Sequence, residues 1–447
     1  MHPSEHEFLV ELPDGTLKQL NPFTGTQVWT VPSRGNRPLP KASEAASPDP
    51  NKSEGEYCHF CERKYAATPP EKARVIRDED GQWRTEYLIS AEDRDTSHAE
   101  FRRIPNLFEI LAYDYWQANY GYTMPKAAQE HAEAYLASPA GQTHLLGVAR
   151  EKLKRSGWSE PRLNALSVDD PDFQRTVQGF FGSGHDLIVA RKHFTTDAKG
   201  ATVLAASGTM TPQEHGEYID FTVKSAKDLL DVNPDVQYVV VFQNWLADAG
   251  ASLDHLHKQL VAIDEHGTQH ERECRRLQDN PNVFNAWAAN YAIEHNLVIA
   301  ENDHALAFAG FGHRFPTIEV FSKSEACEPW DHSEAELRGM SDLLHAMHAA
   351  TEPNTACNEE WHYRPRDCTR PMPWRIMLKW RLSKLAGFEG ATKIYTTTIS
   401  PFALRDQVVR SLQALREADR IADLHIGDSC VTDPNPLRYY APKAMRP

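Results

Sequence analysis

Residues 242–259 read FQNWLADAGASLDHLHKQ, and the reading of this stretch decides the fold. Two apolar, β-branched runs flank it, Val236 to Gln243 (VQYVVVFQ) and Gln259 to Asp264 (QLVAID). Runs of that length and composition predict strands, so the segment is a connection between two strands that passes into the second of them. In extended chain, side chains two residues apart share a face. His255, His257 and Gln259 therefore project together, two imidazoles beside an amide. Gly250, Ala251 and Ser252 form a small-residue loop just ahead, where backbone N–H groups and a hydroxyl approach phosphate oxygens without steric obstruction.

A neutral imidazole near pH 7 is both a nucleophile and a metal ligand, so one histidine of the pair can attack while the other is held in place. Taken alone, a His-x-His pair is equally a surface or metal-site pattern. Upstream, Cys58-His59-Phe60-Cys61 precedes Thr68-Pro69-Pro70-Glu71-Lys72-Ala73-Arg74. Such a cysteine pair fits half of a zinc site, a redox pair or coincidence. A redox pair of the thioredoxin kind opens a helix directly after a strand, whereas residues 51–57 (NKSEGEY) read as a loop.

The spacing from Asn244 through Gly250, Ser252, His255 and His257 to Gln259 resembles the active-site segment of the galactose-1-phosphate uridylyltransferase family, a branch of the histidine-triad superfamily. That family carries Asn, Gly and Ser followed by His-Pro-His-x-Gln, and here Leu256 takes the place of the proline. The resemblance implies that His257 attacks the α-phosphorus of a nucleotide donor and forms a nucleotidyl-histidine intermediate. It implies that Gln259 holds a non-bridging phosphoryl oxygen, and that Ser252 and Asn244 contact donor or acceptor phosphate beside Gly250 and Ala251. The stretch Arg103-Ile104-Pro105-Asn106-Leu107-Phe108 is similar to the family's Pro-Asn-Leu-Tyr/Phe segment. By that likeness Asn106 bonds the donor's ribose or base and Phe108 packs nearby. The family also implies a structural zinc on Cys58, Cys61, His193 and His255, with His185 and His59 as rivals of His193. Four protein ligands leave no coordination position for substrate. Homodimers with shared active sites are the family's assembly.

Composition bounds these expectations. With 447 residues, 40% hydrophobic and 25% charged, the chain suits a soluble protein of two domains with their own cores. A formal charge of -15 opposes a broad nucleic-acid surface but not a small nucleotide, which needs only a few donors. No apolar stretch reaches membrane-spanning length, and residues 1–15 lack a basic region followed by an apolar one, so a membrane or secreted location finds no support. Beyond Cys58 and Cys61, the cysteines (Cys274, Cys327, Cys357, Cys368 and Cys430) are scattered, which predicts no disulfide framework and a reducing cytoplasm.

The expected fold class is α+β. The resemblance implies two histidine-triad-like domains, each an antiparallel sheet packed with helices, from an internal duplication. Residues 1–56 read as an N-terminal arm, ending at Arg34 and Arg37, and a Pro/Ser/Ala/Glu-rich linker over 38–56. Residues 57–275 form the catalytic domain, with a helical insertion over about 109–180 that is Ala- and Glu-rich. Thr211-Pro212-Gln213-Glu214 predicts a helix start, with hydroxyl cap, early proline and capping box. Residues 276–447 form the second domain. There Trp361-His362 matches a family metal ligand, but Met377-Leu378-Lys379 stands where a second His-x-His is expected, which predicts no second metal. Lys379, Arg381 and Lys384 are alternative phosphate contacts.

The expected activity is transfer of a nucleoside monophosphate from a nucleotide sugar, or a related nucleotide, to a phosphate-bearing acceptor. Phosphorolysis of a nucleoside-diphosphate sugar or dinucleoside polyphosphate by inorganic phosphate uses the same nucleophile. Hydrolysis and a non-catalytic nucleotide-binding role are the further readings.

Overall fold

The two apolar runs around the histidine pair lie side by side at the centre of a twelve-stranded sheet in the computed structural model, which describes residues 7–32, 47–49, 51–197, 200–431 and 433–440. Arg34, Arg37 and most of the expected linker lie outside the described residues. Along the chain, an arm of short strands comes first, β1 (Leu9–Glu11), β2 (Leu17–Leu20) and β3 (Gln27–Thr30). The strands β4 (Ala73–Arg77), β5 (Trp83–Tyr87) and β6 (Ala99–Pro105) follow. Residues 113–182 are helical: α1 (Tyr113–Tyr120), α2 (Lys126–Ala137), α3 (Pro139–Arg155), α4 (Glu160–Ala165) and α5 (Pro171–Gly182). Phe173, Val177 and Phe180 of α5 pack with Leu145 and Val148 of α3 in a core of their own. Next come β7 (His185–Ala190), the hairpin β8 (Phe194–Thr196) and β9 (Thr202–Leu204), α6 (Pro212–Val232), β10 (Tyr238–Trp245), β11 (His257–Ile263) and α7 (Gly267–Asp279). Helix α7 runs through position 275, the boundary expected between domains. The second half contains α8 (Asn290–Glu294), β12 (Val298–Glu301), β13 (Ala305–Ala309), β14 (Thr317–Ser322), α9 (Glu334–Thr351), β15 (Cys357–His362) and β16 (Arg375–Trp380). It ends with α10 (Gly387–Thr392), β17 (Ile394–Thr397), α11 (Pro401–Glu417) and β18 (His425–Ile426).

The sheet order is β18-β12-β13-β14-β16-β15-β10-β11-β7-β6-β4-β5. The fold is thus α+β with a large antiparallel sheet and helices. Instead of a sheet for each half, the strands of both halves join through an antiparallel β10–β15 pairing, Phe242 opposite Glu360 and Asn244 opposite Asn358. Outward from this seam the two halves repeat one order, β10-β11-β7-β6-β4 on one side and β15-β16-β14-β13-β12 on the other.

Helices α6 and α9 cover one face of the seam. Both start at capping boxes, Thr211 with Glu214 and Ser333 with Glu336, each satisfying N–H groups that the first helical turn leaves unpaired. Under them the sheet buries Val239, Val241, Leu260 and Ala262, and each fully buried aliphatic side chain contributes about 1.5–3 kcal/mol relative to exposure. The same face holds a charged pair, Lys258 Nζ to Glu359 Oε1 at 2.6 Å, with both side chains at 0% exposure. His348 of α9 bonds the other Glu359 oxygen at 2.7 Å, Trp361 Nε1 donates to Oε1 at 2.5 Å, and Gln243 Oε1 accepts from Lys258 at 3.2 Å. Burial opposes ionisation of Glu359, but Lys258 and then His348 outweigh it, holding the carboxyl well below the usual range. Removing one partner strands a buried charge. Glu359→Gln is therefore expected to cost about 3–5 kcal/mol, read as a fall in the denaturation midpoint; an unchanged midpoint would show that the pair contributes nothing net.

The arm packs on the second half. Phe23 stacks on Phe284 with ring centroids 4.7 Å apart, and the Tyr291 hydroxyl accepts from the Phe8 and Leu9 amides. Gly312 admits this docking, because a Cβ there would come within 2.1 Å of the Asn21 nitrogen. The arm strand β3 also pairs in parallel with β17.

Cys274 of α7 and Cys368 form a disulfide across 94 residues of sequence, with Cα atoms 6.0 Å apart. This corrects the reading of these cysteines as scattered. Sequence spacing carries no trace of a pairing that tertiary packing creates, and Cys58, Cys61, Cys327, Cys357 and Cys430 stay free, so one bond makes no disulfide framework. No helix among the described residues is long and apolar enough to cross a membrane.

Candidate active site and metal centre

The uncovered face of the seam carries the histidine pair. Alternation along β11 sends Lys258 towards the helices and leaves His257 and Gln259 on the other face. Here β11 pairs with β7, His257 opposite Val189, Gln259 opposite Leu187 and Val261 opposite His185.

Cys58 and Cys61 meet His193, which follows β7, and His255, which precedes β11. Their ligand atoms all lie within 4.8 Å of one another. Cys58 Sγ is 3.8 Å from Cys61 Sγ and 3.4 Å from His255 Nδ1, and Cys61 Sγ is 3.5 Å from His193 Nδ1 and 3.7 Å from His255 Nδ1. A tetrahedral ion with bonds of about 2.3 Å to sulfur and about 2.0–2.1 Å to nitrogen needs edges of roughly 3.5–3.8 Å, so the cluster has the dimensions to hold a metal. His255 Nε2 donates to the Ala190 carbonyl at 2.6 Å, which leaves Nδ1 as the free lone pair facing the sulfurs. The hydrogen bond from Cys58 pulls the Cys61 thiol down against its burial, with His193 and His255 adding to it, while the Cys58 thiol is pushed up. Of the rival ligands, His59 is exposed and His185 lies elsewhere in the site.

His257 Nδ1 donates to the His255 carbonyl at 2.7 Å. That bond fixes the tautomer, and Nε2 keeps the free lone pair. Burial pushes the His257 pKa down to about 4, so the ring is neutral at pH 7. His185 fixes Gln259 in turn. Its Nδ1 accepts from the Ile110 amide at 3.2 Å, so Nε2 carries the proton and donates to Gln259 Oε1 at 3.1 Å. The Gln259 amide nitrogen is therefore the group left to donate to a ligand. Asn106, at the end of β6, lies against the same ring, Nδ2 to His185 Nε2 at 3.0 Å, while its Oδ1 accepts from the Phe108 amide at 2.9 Å.

Phe60 stands edge-on over His257, ring centroids 5.2 Å apart, and packs on Ile104, Leu187 and Val189. The cysteine turn thus lays an apolar platform beside the imidazole. Neither this contact nor the His185–Gln259 bond was read from the sequence; the phenylalanine between the cysteines and the histidine opening the HDLIVA strand were the available signals.

The loop residues sit one strand over. Asn244 Oδ1 accepts from Asn358 Nδ2 at 2.8 Å, and Asn358 Nδ2 also bonds the Ala249 carbonyl at 2.8 Å. Gly250 has φ +91, a left-handed conformation that favours glycine and lets the chain turn back towards the histidines. Ala251 follows half-buried, and Ser252 is exposed. Phe108 points outward at 50% exposure beneath the Arg155 guanidinium, 5.7 Å from its ring, and is not gathered with His257. Lys379 pairs with Glu360, Arg381 with the Asn358 amide oxygen, and Lys384 with Asp248. His362 lies by Glu360, 3.8 Å away, and by His270, ring centroids 5.4 Å apart.

This architecture is shared with solved enzymes. An ADP-glucose phosphorylase from Arabidopsis thaliana with bound ADP-glucose superposes with a TM-score of 0.56 at 17% identity, covering 88% of this chain and 97% of that one. A galT-like protein from Arabidopsis thaliana gives 0.53 at 16% identity, covering 88% and 98%. At these identities the likeness is one of fold. The sequence itself, over residues 12–439, matches the model of a family described as a domain of unknown function, DUF4921, and the chain belongs to that family. No curated protein matches the sequence.

Proposed function

We propose that the protein is a nucleotidyltransferase that moves a nucleoside monophosphate from a nucleotide sugar, or a related nucleotide, to a phosphate-bearing acceptor through a covalent intermediate on His257. The arrangement of His257 carries this reading. Its ring is neutral, its Nδ1 proton is committed to the His255 carbonyl, and a pre-oriented amide donor, Gln259, stands two residues along the strand. In the first step His257 Nε2 attacks the α-phosphorus and the distal phosphate leaves; in the second the acceptor's phosphate oxygen attacks the same phosphorus and His257 leaves. The Gln259 amide donates to a non-bridging oxygen, with Ser252, Asn244, Gly250 and Ala251 on the phosphate-facing loop. Phe60, Ile104, Leu187 and Val189 offer an apolar surface for the base, with Asn106 at its edge and Phe108 beyond it.

Cys58, Cys61, His193 and His255 would hold a structural zinc. When bound, it ties the cysteine turn to the start of β11 and thereby fixes the His255 carbonyl that orients His257. The repeated strand order about the seam supports an internal duplication, with 57–275 and 276–447 as its halves, 1–56 as an arm and 109–180 as a helical insertion. A cytoplasmic homodimer acting on small nucleotides belongs to the same reading.

Phosphorolysis is the second reading, with inorganic phosphate in the acceptor's role; the shared fold with an ADP-glucose phosphorylase favours it. Intact-protein mass spectrometry tests both. Mixing the protein with ADP-, UDP- and GDP-sugars, without acceptor, is expected to add the mass of one nucleoside monophosphate. Discharge of that adduct by inorganic phosphate, rather than by hexose phosphates, would select phosphorolysis. A folded, metal-loaded protein that gains no mass with any donor would sink the covalent mechanism.

A further inference from the structure

A second polar pocket lies on the same sheet face, between the arm and the second half. It encloses about 300 Å³ and is walled by Asn21, Phe23, Thr24 and Thr26 of the arm together with Glu319, Asn358, Glu360, Lys379 and Arg381. Cross-strand register places it relative to His257. Leu187, Gln259, Phe242, Glu360, Met377 and Glu319 stand side by side in one row. With about 4.8 Å between strands, Glu360 lies roughly 10 Å from Gln259, and the pocket extends further away. A phosphate held there is beyond the roughly 3–3.5 Å at which atoms react, so it would not be attacked at His257.

The lining has the chemistry of a site for a hydroxyl-bearing anion. Lys379 is paired with Glu360 and His313 with Glu319. Arg381 has no carboxylate partner among the described residues. Its guanidinium is held over the Phe315 ring, 4.5 Å from the centroid, and donates to Asn358 Oδ1 at 2.7 Å, while its Nε is buried without a hydrogen-bond partner. Arg381 thus lines the pocket as a guanidinium with no carboxylate against it among the described residues, and an anion placed there would neutralise it. Around it, two carboxylates and the Gln269 amide offer partners for hydroxyls, and the volume is at the small end of ligand pockets.

We propose that this pocket binds a sugar monophosphate as a non-reacting second ligand, its phosphate on Arg381 and Lys379 and its hydroxyls on Glu319, Glu360 and Gln269. The bond from Asn358 to Asn244 connects the pocket to the loop that carries Gly250. Occupancy would hold the arm on the second half and that loop in place.

Hydrogen–deuterium exchange of the full chain with millimolar glucose 6-phosphate, glucose 1-phosphate or inorganic phosphate tests this. At least one hexose phosphate is expected to slow exchange several-fold in peptides covering residues 17–30 and 311–323, and more than inorganic phosphate does. His257→Ala should respond as wild type, since the binding needs no chemistry. Arg381→Gln and Lys379→Met, each checked for folding by circular dichroism, should lose the protection. Protection confined to residues 255–263, protection that survives both substitutions, equal protection by phosphate alone, or none with any ligand would each overturn the proposal. Because the readout is independent of nucleotidyl transfer, its failure leaves the reaction on His257 standing, and failure of that reaction leaves the pocket standing.

Discussion

His257→Ala is expected to lower turnover by about 10,000-fold or more and to abolish the nucleotide adduct, while the protein stays folded and still binds its donor. The size follows from the role. Removing a group that forms the covalent bond takes away the path itself, whereas removing one that steadies charge weakens it. Gln259→Ala, which deletes one donor to the phosphoryl group, should cost about 100- to 1,000-fold. The stability change for His257→Ala should be small, because the imidazole's hydrogen bond runs to a backbone carbonyl only two residues before it. Steady-state kinetics beside a thermal melt separates these effects. A variant with normal kcat would show that the imidazole is not the nucleophile.

Cys58→Ser is expected to cut bound zinc from about one equivalent to none and to lower the melting temperature by about 2–5 °C, the scale of a few kcal/mol for a chain of this size. Activity should fall as well, by a smaller factor than for His257→Ala. The metal would act at one remove: it holds His255, and the His255 carbonyl holds the His257 proton. Elemental analysis of the purified protein, with and without a chelator, provides the check. Wild type that holds no transition metal, together with a Cys58→Ser variant that melts at the wild-type temperature, would show the cluster to be a hydrogen-bonded thiol–imidazole group instead.

The local parts of the fold were legible because local chemistry dictates them. Thr211 and Glu214 announced a helix start, and the β-branched runs announced β10 and β11, shifted by about two residues from their observed bounds. The four metal-ligand candidates were legible from residue type and from the family spacing, and they meet in space. What stayed hidden is non-local. Nothing in 242–245 or 357–360 says that these strands pair with each other, since alternation fixes which face a residue takes but not which neighbour it meets. His185 was read only as a rival of His193 for the fourth ligand position. Its true neighbour, Gln259, follows from the β7–β11 pairing, which skips three intervening strands. Phe108, placed near the donor by the family likeness alone, lies half-exposed under the Arg155 guanidinium.

The adjacency of His257 and Lys258 on opposite faces has a consequence for how this strand is allowed to vary. A shift of β11 by one residue against its neighbours would carry the ammonium into the reaction site and the imidazole into the apolar layer under α6 and α9. Glu359, ion-paired to Lys258 in the observed alignment, disfavours that slipped state because its buried carboxylate would lose the ammonium. The second half therefore proofreads the position of His257 in the first. Insertions or deletions between 250 and 257 should be tolerated only where they leave this alignment intact.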